Sequence, residues 1–200
     1  MQMNIMRVAG MALLLGAMAS PLAAQGASDS EAFLKAVKDA DGAKTMELMN
    51  ARGSTVLNYR GYDGDAALHI IARRRDGDWL AFLIDKGASP DIADTKGDTP
   101  LIIVSRLGYD EGARTLLAFR AKVDQANKLG ETPLIVAVQG RHPQIVRLLL
   151  EAGANPDKAD HAAGYSARDY AKQDRRSSEL LKLIETVKPA RKASIGPTIK

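Results

Sequence analysis

The chain has no cysteine among its 200 residues, which excludes a disulfide framework, a thiolate metal site and a thiol-linked lipid. All stability must come from packing and hydrogen bonds. Aromatics are scarce as well, with one tryptophan, five tyrosines and three phenylalanines. A core with so few rings has to be filled by Leu, Ile, Val and Ala, which suits helix packed on helix. Only three histidines occur, His69, His142 and His161, and none has a partner histidine at the spacing that puts two metal ligands on one helix face. The glycines are spread along the chain rather than clustered, so there is no phosphate-cradling loop. No serine stands in a nucleophile elbow. No signature of catalysis is present, and no cofactor or metal is expected.

An excess of positive charge is also missing once its location is considered. The whole chain carries 28 basic and 24 acidic side chains. Leaving out Arg7 near the start and Lys188, Arg191, Lys192 and Lys200 near the end gives 23 basic against 24 acidic. The body is therefore about neutral, and a nucleic-acid-binding role is not expected.

The first residues form a segment of their own. Arg7 precedes Val8 to Met18, an uninterrupted small and apolar run too short for a stable bilayer anchor. Small residues follow, ending at Ala23-Ala24. This is the layout of a secretory signal peptide over residues 1–24, cut after Ala24 or earlier at Ala17-Met18-Ala19. An uncleaved amino-terminal anchor is the competing reading. Residues 25–30 are a short polar lead, and residues 188–200, basic and without an acid, read as a disordered tail. The expected location is the periplasm or outside the cell, without stable membrane insertion after cleavage.

Between these ends the sequence repeats. Gly64, Gly97 and Gly130 lie 33 residues apart, and each opens a short motif: Ala66-Ala67-Leu68-His69, Thr99-Pro100-Leu101-Ile102 and Thr132-Pro133-Leu134-Ile135. Gly87-Ala88 and Gly153-Ala154 follow at matching distances. The two Thr-Pro pairs predict capped helix starts, since the hydroxyl accepts from an orphan amide and proline is tolerated in the first turn. Leu134, Ala137 and Val138 continue one helix. Pro143 restarts a second, with Ile145, Val146, Leu148, Leu149 and Leu150, and Gly153 ends it in a left-handed conformation. Asp91, Asp124 and Asp157, with Asn58 in the same register, are turn formers. A helix pair this small cannot bury its own apolar face, so the pairs must stack.

These motifs resemble the ankyrin repeat family over roughly residues 30–187. The resemblance implies an all-α solenoid of stacked helix pairs across residues 31–187, with three full repeats between two degenerate caps. The first cap is Phe33 to Val37 with Thr45 to Met49. The last opens at Gly164-Tyr165-Ser166-Ala167, displaced by one inserted residue, and closes with Ser178 to Ile184. It also implies that His69 braces its turn by local hydrogen bonds. His142 stands at a helix start, where a polar residue caps, and His161 lies in an exposed loop. Asp63, Asp65, Asp94 and Asp98 flank turns as side-chain acceptors. Trp79 opens a second helix whose counterpart one unit on carries Gly112. It is either core filling, with Gly112 leaving the slot for its indole, or an aromatic anchor for a ligand.

In this family, partner contacts come from the loop tips and the exposed side of the first helices. Carried over, that gives Tyr59, Arg60 and Tyr62 at the first tip, residue types enriched at binding hot spots. A second pattern places Arg73 and Arg106 in one register and Arg75, Arg141 and Arg175 in another, at the ends of first helices. They read either as a cationic stripe for a partner with an acidic surface or as basic residues complementing helix dipoles. The expected function is a non-catalytic, monomeric, periplasmic protein-binding scaffold. An inhibitor or immunity-type protein that blocks one cognate enzyme is the alternative.

Overall fold

The computed structural model describes residues 21–52, 55–174 and 178–188. The leader as far as residue 20, Arg175 and Arg176, and the tail from residue 189 lie outside the described residues. Ten α-helices fall among the described residues: α1 Pro21–Lys38, α2 Gly42–Arg52, α3 Ala67–Arg74, α4 Gly77–Asp85, α5 Pro100–Leu107, α6 Asp110–Ala118, α7 Pro133–Gln139, α8 Pro143–Glu151, α9 Ala167–Gln173 and α10 Ser178–Thr186. They pair as α1/α2 through α9/α10, five pairs in chain order. First helices pack in the succession α1, α3, α5, α7, α9, and second helices in the succession α4, α6, α8, α10. α1 begins within the segment assigned to the leader and runs through the lead of residues 25–30.

Helix starts follow the predicted chemistry. Thr99 Oγ1 accepts from the Ile102 amide at 3.3 Å and Thr132 Oγ1 from the Ile135 amide at 3.2 Å, with Pro100 and Pro133 in the first turn. Ser166 does the same for α9, and Asp169 returns a bond to the Ser166 amide in a capping box. His142 departs from expectation. It stands at the start of α8 without capping it, and its Nε2 reaches the Arg106 carbonyl at 3.2 Å instead.

The core is one continuous row of buried aliphatics running from Phe33 and Leu34, through Leu68, Leu101 and Leu134, to Leu183 and Ile184. Trp79 corrects a sequence expectation. Its indole lies against Gly42 of the preceding pair, where an added Cβ would come within 3.1 Å of the ring. Gly112 instead makes room for Tyr109 of its own unit, whose ring would stand 2.5 Å from a Cβ there.

Neighbouring units are also locked by hydrogen bonds. Asn58 Oδ1 accepts from the Ser89 amide at 2.7 Å, Asp91 Oδ1 from the Lys122 amide at 2.7 Å, and Asp124 Oδ1 from the Asn155 amide at 3.0 Å. These acceptors do more than form local turns: each reaches the backbone of the next unit.

Candidate functional site

Four loops project from the starts of the first helices of units one to four. Each is closed at its base by a backbone bond: Gly61 N–H to Asp65 O, Asp94 N–H to Asp98 O, Asn127 N–H to Glu131 O and Asp160 N–H to Tyr165 O, all 3.0 Å. Their turns are held by side-chain acceptors, as expected for Asp63 and Asp94, whereas the carboxylates of Asp65 and Asp98, expected in the same role, are taken by Arg73 and Arg106 instead. Asp94 Oδ1 accepts from Lys96 and Asp98 amides, Asn127 Oδ1 from Leu129 and Glu131, and Asp160 Oδ1 from Ala162, Ala163 and Gly164. Gly64, Gly97 and Gly130 sit behind these tips at φ of 81°, 81° and 79°, in the left-handed region. A Cβ on any of them would also strike the next loop, 2.6 Å from the Thr95 nitrogen, 2.8 Å from the Lys128 nitrogen and 2.6 Å from the His161 nitrogen. The loops thus lie backbone against backbone in a closed row.

His69 joins a first helix to the loop of the next unit. Its Nδ1 accepts from the Ala66 amide at 2.9 Å, so Nε2 carries the proton and donates to the Ile92 and Asp98 carbonyls at 3.0 and 3.1 Å. Burial holds its pKa below the usual histidine range, against the pull of the nearby Asp65 and Asp94 carboxylates. This is a neutral structural histidine that supplies the third-position half of a capping box, accepting from the Ala66 amide, while Ala66 itself has no polar side chain to cap with.

The arginines do not form a free cationic stripe. Arg73 pairs with Asp65 and reaches Asp94 at 3.4 Å. Arg106 binds Asp98 through both terminal nitrogens, at 2.5 and 3.3 Å, and approaches Glu131 at 3.4 Å. Arg141 donates from Nε to Asp174 at 2.6 Å, and Arg75 donates to the Leu107 carbonyl of the next unit at 2.6 Å. Each cation is anchored by acceptors within the protein. Burial alone would raise the Asp98 pKa, but the hydrogen bonds from Arg106 and Asn127 outweigh it and hold the carboxylate below its usual value. Arg175 lies outside the described residues.

The first loop divides its three candidates. The Tyr59 hydroxyl donates to Glu31 at 2.8 Å and its ring is half-buried against α1, while Arg60 donates to the Ala93 carbonyl at 3.2 Å. Tyr62 is 99% exposed. The tip at residues 127–129, which the family resemblance also marks as a loop tip, completes the row with Leu129, 56% exposed, and Lys128 beside it. Lys96, Lys128 and Leu129 border a hollow of about 480 Å³ whose floor holds Asp98, Arg106, Asn127 and Glu131. Nothing in the pattern of apolar spacing marks a loop-tip leucine as exposed. The signal was its place in the register of Lys96. Among the described residues, no group of His, Asp and Glu is arranged to hold a metal ion, and no helix is long and apolar enough to cross a membrane.

Comparison with known proteins places this geometry. The family model for ankyrin repeats (3 copies) matches residues 68–160. A stretch of 58 residues is 43% identical to the human protein SH3 and multiple ankyrin repeat domains protein 2; it covers 29% of this chain and 3% of that protein's length. Ankyrin repeats are in general protein-interaction modules. Over residues 68–160 the helix pairs, their capped starts and their closed row of loops match ankyrin repeats, and the fold is an all-α solenoid of that kind.

Proposed function

We propose that this chain is a non-catalytic, exported protein-binding module that acts as a monomer in the periplasm and grips a protein partner across its loop tips and the hollow behind them. The observation that carries the reading is the chemistry of the tips. Tyr62 and Leu129 stand out as exposed apolar anchors. Among the described residues, Lys96 and Lys128 beside them have no carboxylate partner, while the acids beneath are engaged by Arg73 and Arg106. An aromatic anchor and aliphatic contact flanked by free ammonium groups suit a partner with an acidic surface. The attraction to acid therefore rests on the lysines of the tips rather than on the arginines at the helix ends. The leader at residues 1–24 supports export.

The test is capture from the exported fraction with the full chain and with Tyr62→Ala and Lys96→Glu/Lys128→Glu variants. A partner held by the native chain should be lost from both variants, with association slowing as salt rises. Retention by both variants would remove the tips from the binding face. Should the captured protein be an enzyme whose turnover stops on binding, the module is its inhibitor.

A further inference from the structure

The second-helix layer has a gap at its first step. α4, α6, α8 and α10 pack in succession, whereas α2 is held mainly by α1. α2 touches the Trp79 indole at Gly42, while Met46, one turn on, is 36% exposed. The result is a groove of about 390 Å³ lined by Met46, Asp78, Trp79 and Phe82. The two rings meet edge to face, with centroids 5.4 Å apart. Lys86 already lies over the Phe82 ring at 5.5 Å, which shows that this aromatic surface accepts a cation.

The cation at the rim, Lys86, is already paired with Asp85 at 3.3 Å, which leaves the Asp78 carboxylate as the uncompensated charge. Among the described residues, Asp78 has no cationic partner, and it is the sole ionised group lining the groove. Glu111 stands at the same end of α4: its carboxylate oxygen and the Tyr109 hydroxyl are 3.0 and 2.8 Å from where a Cβ on Gly77 would be. The Tyr109 hydroxyl is buried without a hydrogen-bond partner. Cations of the flanking segments are engaged elsewhere, Lys44 with Glu47 and Arg74 with Asp76. An anionic occupant would be repelled, and a purely apolar one would leave Asp78 desolvated and unpaired.

We infer that the groove between α2 and α4 is a second docking site, in the layer of second helices, for an apolar peptide segment of a partner protein that carries a lysine or arginine. The apolar side chains of that segment cover Met46 and Phe82. Its cation lies on the indole face beside the Asp78 carboxylate, where the ring and the charge act together.

Trp79 is the chain's single tryptophan, so its emission reports this site alone. The full chain is used to select from a displayed library of twelve-residue peptides, and one enriched peptide is then titrated against it. Enriched sequences should combine a large apolar residue with Lys or Arg, and the titration should shift the indole emission. Met46→Glu and Asp78→Lys, both at exposed positions, should each weaken that binding about tenfold or more. Tyr62→Ala should leave it unchanged, which separates this site from the loop tips; helix content and melting of each variant verify folding. Absence of enrichment, enrichment of acidic sequences, or binding indifferent to both groove variants would overturn the proposal. A synthetic peptide of residues 188–200 that competes with the selected one would also overturn it, making the occupant the chain's own basic tail.

Discussion

At the scale of single residues, Arg120 in a left-handed conformation and the buried His69 each have a consequence for stability. Arg120 has φ of 61° where the sister units have Gly87 at 105° and Gly153 at 92°, and its amide makes the same bond to the residue three before it. A side chain in that conformation costs about 1–2 kcal/mol, while glycine costs about 0.5–1 kcal/mol in chain entropy. Relief wins by a small margin. Arg120→Gly should raise the melting midpoint by about 2 °C, read by circular dichroism. His69 gives the second prediction. Its folded pKa lies below the unfolded value of about 6.5, so the unfolded chain binds the proton more readily. The stability it confers is full above pH 6.5 or so and is lost as pH falls toward its folded pKa. Urea midpoints measured across that window should decline with acid in the native chain, and His69→Gln should flatten the slope at the cost of a lower midpoint throughout.

Between neighbouring elements, the Asn/Asp locks and the contacts of Arg73 with Asp94, Arg106 with Glu131 and Arg141 with Asp174 act as rungs from unit to unit. Arg106 is about half exposed, so its bond to the buried Asp98 lies between the surface and interior limits for an ion pair. Arg106→Glu would set a third carboxylate beside Asp98 and Glu131, and should cost about 1–2 kcal/mol in denaturant melts. Reversing Arg73, Arg106 and Arg141 together would thus test folding rather than binding. Asp98 contributes stability that is full above the unfolded carboxylate pKa of about 3.9 and is lost as pH falls through its lower folded value. Arg106→Gln should accordingly shorten the acid limb of the stability curve below pH 4. The Thr-Pro starts, the period and the turn acceptors were all legible in sequence because local bonds decide them. The arginine pairs were not, since a repeat period positions backbones and says nothing of what a long side chain meets. A signal was there: an acid stands eight residues before the arginine as Asp65 and Arg73, and again as Asp98 and Arg106. In the third unit the register holds Glu131 and Gln139, and Glu131 turns back to Arg106. Trp79 was misread for a related reason, because the glycine that admits its ring lies in the degenerate cap, outside the regular register.

In the whole molecule, the stack is held by neighbours only, so its ends and its weakest junction should open first. That junction is α2 against α4. Hydrogen exchange should show α2 amides less protected than those of α4, α6 and α8, and filling the groove with a bound peptide should slow them. The locks at Asn58, Asp91 and Asp124 have a different implication. Each reads a backbone amide of the next unit, and Gly64, Gly97 and Gly130 likewise meet backbone nitrogens. Such contacts are indifferent to which side chains the next unit carries. Excising residues 89–121, one full period, would bring the Lys122 amide to Asn58 and the Lys128 nitrogen to Gly64 with their geometry preserved. A chain so shortened should still melt in a single cooperative step, at a lower temperature. Units of this kind can be gained or lost during evolution without rematching their partners, leaving the surface side chains free to diversify.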